Sequence, residues 1–91
     1  MNDLLLNIFN YYFLHSHVYS FNALKTRMEH PTLPFGRFYD IVEGTASKTP
    51  VMKHMYVNFV NKETGKEEVY IDLILNHNGY ISEICLSDEP F

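Results

Sequence analysis

The sequence carries a single cysteine, Cys85. One thiol cannot close an intrachain disulfide, and it rules out a CxxC or Cys/His zinc pattern. A lone thiol suits a reducing compartment, so the expected location is cytoplasmic. Basic residues are also few: 7 Lys and Arg stand against 11 Asp and Glu, for a net charge of −4. Lys25, Arg27, Arg37, Lys48, Lys53, Lys62 and Lys66 are scattered along the chain. Phosphate backbones need a concentrated basic surface, so nucleic acid is not an expected partner. No apolar run reaches the roughly 18 residues of a membrane span. The first residues, MNDLLLNIFNYYFLHSH, lack a basic n-region, include Asp3 and are interrupted by Asn7 and Asn10, which does not read as a secretory signal. There is no internal repeat and no low-complexity tract. The segment GTASKT, Gly44 to Thr49, lacks the spacing of a phosphate loop, and Pro50 forbids an immediate interior helix.

What is present is a globular composition, 46% hydrophobic and 15% aromatic. Its 91 residues suit one domain with a modest core. The chain divides into a helical part at 3–29, a connector at 30–50 and an antiparallel sheet at 51–87.

Leu4, Ile8, Tyr11, Leu14, Val18, Phe21, Leu24 and Met28 recur at steps of three and four, the stripe of one helix face. Asn2 or Asp3 can cap its start, and Pro31 follows its end. The β-branched and serine-rich centre HSHVYS is a weak point, so one long helix and two helices broken near Ser16 both stand. Phe9 and Phe13 fall on the far side of the stripe. EHPTLPFGRF, with Pro31, Pro34 and Gly36, reads as a connector. RFYDIVEG after it can form a first short strand.

Val51–Val60, Glu68–Asn76 and Tyr80–Ser87 read as three strands. Asn78-Gly79 fits a two-residue type I′ turn, which pairs His77 with Tyr80, Leu75 with Ser82, Leu73 with Ile84 and Ile71 with Leu86. A three-residue loop with Gly65 in the left-handed conformation pairs Phe59 with Val69, Val57 with Ile71 and Met55 with Leu73. Both turns then put Met55, Val57, Phe59, Val69, Ile71, Leu73, Leu75, Ile84 and Leu86 on one face. A slip of one residue would turn a whole strand over. The helix stripe is the cover for this face, giving an α+β fold: an N-terminal helix or helix pair packed on a three- to four-stranded antiparallel meander. The other face has the rows His54, Ile74, Glu83; Tyr56, Asp72, Cys85; and Asn58, Tyr70, Ser87.

The closing segment GKEEVYIDLILNHNGYISEICL, within a pattern that spans about residues 51–87, resembles the last strands of the NTF2-like (SnoaL-like, cystatin-like) group. That resemblance implies a helix on a curved antiparallel sheet. It also implies a ligand-binding, isomerase-like or dimerising role. Members with catalysis place Asp, His or Tyr inside a cone. Here the face meeting the helix is almost wholly aliphatic, so no catalytic residue carries over.

Among candidate chemistries, His15 and His17 would share a face on a strand but point about 200° apart on a helix, and no matching ligands cluster nearby, so no metal site is expected. Cys85 lies beside Asp72, whose charge opposes thiolate formation. Asp72 and Glu83, diagonal on one face with His54 and Tyr56, could make an acid/base pair or simply keep the face soluble. His30 sits at a helix end, near the negative end of the dipole. Tyr56, Tyr70, Asp72, Ile74, Ile81 and Glu83 together have the composition of a protein interface. The expected function is therefore a small non-enzymatic protein-binding module of inhibitor, immunity, anti-defence or adaptor type. It needs no cofactor, and it masks a partner that carries basic residues. The alternatives are a dimeric NTF2-like small-molecule binder or isomerase-like protein, marked by a cavity of about 300 Å³ or more, and a homodimerisation domain.

Overall fold

The computed structural model describes residues 2–44 and 53–87. The expected 44–50 loop, apart from Gly44, and the expected strand start at Val51 lie outside the described residues. Three helices and four strands follow in order: α1 (Asn2–Phe13), α2 (Phe21–Met28), α3 (Phe35–Phe38), β1 (Tyr39–Glu43), β2 (Lys53–Asn61), β3 (Glu67–Leu75) and β4 (Ile81–Ser87). The strands form one antiparallel sheet in the order β1-β2-β3-β4, with α1 against β4 and α3 against β1. This is the expected α+β arrangement, helices packed on a meander. No helix among the described residues is long and apolar enough to cross a membrane.

The helical region is a pair, not one rod. α1 ends at Phe13, the chain turns at Leu14–His15 and bridges to Tyr80 at His17, and Ser20 caps α2 by accepting a hydrogen bond from the Ala23 amide at 3.1 Å. The break is stabilised from outside the helix. His15 N–H donates to the Ile81 carbonyl, the Ile81 N–H donates to Ser16, and the Val18 N–H donates to Gly79, which lays the strap along the start of β4. Backbone groups that a continuous helix would pair internally are thus paired with the sheet. His15 takes a positive φ of 69° to make the exit.

The break also changes which face of α1 is buried. Leu5, Phe9 and Phe13 point into the core, while Leu4 and Tyr11 of the expected stripe are 64% and 83% exposed. In α2 the stripe holds, with Leu24 and Met28 buried. The 30–50 connector also contains more than expected, because Leu33 and Phe35 are buried and Phe35–Phe38 forms a short helical turn before β1. Phe9, Phe13, Phe35 and Phe59 pack together in tilted and edge-on pairs at centroid distances of 4.7 to 6.4 Å. These rings fill the space between helices and sheet.

The sheet register agrees with expectation through its central rows: Met55 faces Leu73, Val57 faces Ile71, Phe59 faces Val69, Leu73 faces Ile84 and Ile71 faces Leu86. The turns reach that register by another route. In the second hairpin only Gly79 has positive φ, at 84°, so the two-residue type I′ turn is absent. The Gly79 N–H donates to the Asn76 carbonyl at 3.0 Å, and Asn76 pairs with Tyr80 across a three-residue loop. The Asn76 side-chain oxygen holds the loop by accepting from the Asn78 and Tyr80 amides. The register then shifts between Ile74 and Leu75, where Ser82 is the extra residue and its hydroxyl donates to the Ile74 carbonyl at 2.9 Å. The first hairpin repeats the device. Gly65 is left-handed as expected, at φ 72°, but in a four-residue loop, and a shift beside Phe59 compensates. A bulge absorbs one residue and turns the side chains after it to the other face.

Candidate functional site

The helices lie on one face of the sheet, and side-chain alternation sends the other set of residues away from them. Three observed rows match those read from the sequence: His54–Ile74–Glu83, Tyr56–Asp72–Cys85 and Asn58–Tyr70–Ser87. Strand β1 extends the face, with Val42 opposite Asn58 and Asp40 opposite Val60. Of the six residues expected to bind a partner, Tyr56, Tyr70, Asp72, Ile74 and Glu83 share this face. Ile81 does not. It is 0% exposed, because the Ser82 bulge turns it into the core beneath the Ser16 strap.

The centre of the face is ordered by its own polar groups. His54 Nδ1 lies 2.8 Å from Asp72 Oδ1, with both side chains about one-fifth exposed. The His54 ring stacks on Tyr56 at 5.7 Å and 13°. Desolvation, and then the Asp72 charge, raise the Tyr56 pKa above its ordinary value. Tyr70 leans along its own strand and donates its hydroxyl to the Glu67 carbonyl at 3.1 Å. Asn58, between Val42 and Tyr70, is 4% exposed, and its side-chain oxygen has no hydrogen-bond partner.

This order does not amount to a nucleophilic site. In a cysteine–histidine–acid relay the imidazole stands between thiol and carboxylate. Here the carboxylate of Asp72 stands in the middle, with His54 towards one side and Cys85 across the next strand. Cys85 is held protonated by burial, then by its hydrogen bond to Glu83 and the charges of Glu83 and Asp72, all of which raise its pKa. No group of three or more His, Cys, Asp or Glu among the described residues could hold a metal ion. The His15/His17 pair is split: His15 turns through positive φ, and the His17 ring packs edge-on to Tyr19 and Tyr80 at 4.3 and 4.8 Å.

Charge is the clearest feature of the face. Its regular rows carry Asp40, Asp72 and Glu83, and no Lys or Arg among the described residues. The described basic side chains lie elsewhere: Lys25 and Arg27 on α2, Arg37 on α3, Lys53 at the start of β2 on the helix side, Lys62 in the first hairpin loop and Lys66 at its closing pair with Asn61. A second feature, a cleft of about 260 Å³, opens on the helix side between Tyr12, Phe13, Arg27, His30, Thr32 and Leu33.

Asp40 and Asn58 were not among the residues singled out from the sequence. Asn58 was visible in the row with Tyr70 and Ser87. Only its burial, which the sequence does not encode locally, sets it apart. Comparison with protein-family models, with curated proteins and with solved structures returns no match to this chain.

Proposed function

We propose that this chain is a small non-enzymatic binding module that masks a basic surface of a protein partner with the open face of its sheet. The observation that carries the reading is the composition of that face: Tyr56, Tyr70 and Ile74 among Asp40, Asp72 and Glu83, with no opposing Lys or Arg among the described residues. Aromatic groups supply contact area at low entropic cost, and the carboxylates steer and select a positively charged partner. The His54–Asp72 contact and the His54–Tyr56 stack hold two of these groups, Asp72 and Tyr56, in place before any partner arrives, which lowers the ordering cost of association. Inhibitor, immunity, anti-defence and adaptor proteins all work by such covering. The module works inside the cell, where a lone thiol stays reduced.

The likeness to NTF2-like domains stands beside this as a proposal about shape. Its small-molecule alternative draws no support from the space between helices and sheet, which the four phenylalanine rings occupy.

The test compares two baits in cells of the source: the native chain and an Asp40→Lys/Glu83→Lys variant, both captured under native conditions and weighed by mass spectrometry. The expected outcome is a stoichiometric protein partner on the native bait. Its recovery should fall at high salt and be lost on the charge-reversed bait. A partner held equally by both baits, or recovery of homodimer alone, refutes the assignment of this face.

A further inference from the structure

Asn58 is the one buried polar residue among those described, and it lies on the face that no helix covers. Its neighbours along β2 are the apolar Val57, Phe59 and Val60, residue types that favour a strand, so packing alone would select a branched or aromatic side chain here. The asparagine instead leaves a carbonyl oxygen buried without a partner, a state that native structures rarely tolerate. Its surroundings supply the reason. Register places Asp40 diagonal to Asn58 on the β1 side and Asp72 diagonal on the β3 side, with Tyr70 directly opposite. An acceptor without a donor therefore sits between two carboxylates, beside an aromatic ring.

We propose that Asn58 is the anchor for an arginine side chain of the protein partner, whose guanidinium donates to the Asn58 side-chain oxygen and to the Asp72 carboxylate. The proposal rests on the open face being the binding surface and names what that face reads. A guanidinium is donor-only, planar and always charged. Its fork of five N–H groups can serve an amide oxygen and a carboxylate together. Asp72 keeps acceptor capacity after its contact with His54, because an ionised carboxylate offers about four lone-pair sites. The flat cation also stacks on tyrosine, which a compact ammonium does less well. For the guanidinium to reach it, the buried amide oxygen has to turn about its last torsion, which has broad, low barriers in asparagine.

The test titrates the full isotope-labelled chain with a hexa-arginine peptide and, separately, with a hexa-lysine peptide, following amide and side-chain NH₂ resonances. The expected result is that arginine shifts the Asn58 carboxamide and the amides of β2 and β3, and binds several-fold more tightly than lysine. Asn58→Leu should weaken the arginine complex by about ten- to a hundredfold, the loss of one hydrogen bond to a charged group. Asn58→Thr, which suits a strand but lacks the reach, should do the same and serves if the leucine variant does not fold. If arginine shifts the face but both variants bind as the native chain does, the anchor is wrong and the acidic face survives. Equal affinity for lysine overturns the guanidinium. Absence of any shift on β1 to β4 removes the face and the anchor together.

Discussion

At the residue scale, the division of labour on α1 decides both stability and surface. Phe9 is fully buried and touches three other aromatic rings, Phe13, Phe35 and Phe59. Truncation to alanine removes a ring that nothing nearby can replace, so Phe9→Ala should lose about 3–5 kcal/mol in urea unfolding. Tyr11 is two residues on and 83% exposed, with its ring against Tyr12 alone among the described residues. Tyr11→Ala should stay within about 0.5 kcal/mol of the native chain. The periodicity in the sequence predicts the reverse order, since Tyr11 belongs to the long stripe and Phe9 does not. It misleads because α1 is apolar around most of its circumference. A twelve-residue helix with one charge, Asp3, does not itself say which apolar side is in. The strap that ends the helix at Phe13 fixes its rotation, and that strap depends on β4, some seventy residues away in sequence. A loss from Tyr11→Ala equal to that from Phe9→Ala would mean that the exposed stripe is the buried one.

At the element scale, the two hairpins were legible because two unrelated signals agreed, turn residues and alternation. Gly65 and Gly79 are both left-handed, and the central rows, from Phe59–Val69 to Leu73–Ile84, match the sequence pattern on both faces, whereas next to the second turn Leu75 pairs with Ile81 instead of Ser82 and Tyr80 with Asn76 instead of His77. The loops themselves are each one residue longer than the turn signals imply. Asn61 and Asn76 each use a side-chain oxygen to hold the following amides, which lengthens the loops, and a bulge in each hairpin returns the register. This local exchange moved Ile81 from the expected binding set into the core. The two glycines should differ under substitution. An alanine Cβ at Gly65 meets nothing within 4 Å, whereas at Gly79 it meets His17 Nε2 at 3.3 Å and the Val18 carbonyl at 3.4 Å, the backbone of the strap. Gly65→Ala should carry only the left-handed penalty of about 1–2 kcal/mol. Gly79→Ala should exceed it, and its amide exchange should quicken at Val18 and Ile81, whose hydrogen bonds tie the strap to β4. Equal losses with unchanged exchange would show that the strap does not depend on this contact.

At the scale of the whole molecule, the acidic face ties function to a pH limit on stability. Three groups have pKa values raised by the fold, each with desolvation as the largest cause: Cys85, Tyr56 and Tyr39, the last two helped by Asp72 and Glu68 respectively. In the unfolded chain these groups ionise near their ordinary values, 9.0 for the thiol and 10.0 for the tyrosines. Above those values the unfolded chain has released protons that the folded chain still binds. Stability must then fall as pH rises, and the fall continues until the folded groups ionise too. Below about pH 8 all three are neutral in both states and contribute no slope. The urea midpoint should therefore be flat in these groups from pH 6 to 8 and decline from about pH 9 upward. Cys85→Ser should remove the earliest part of that decline and leave the tyrosine part above about pH 10. The same raised thiol should react with iodoacetamide more slowly than a free cysteine at pH 7.5, because the thiolate is the nucleophile. Asp72→Asn removes a charge that contributes to both the Cys85 and the Tyr56 shifts, so it should speed that alkylation and soften the alkaline decline at once. A variant that changed one without the other would separate the thiol from the tyrosine. It would show that the middle of the face is not the single electrostatic unit on which recognition of a basic partner depends.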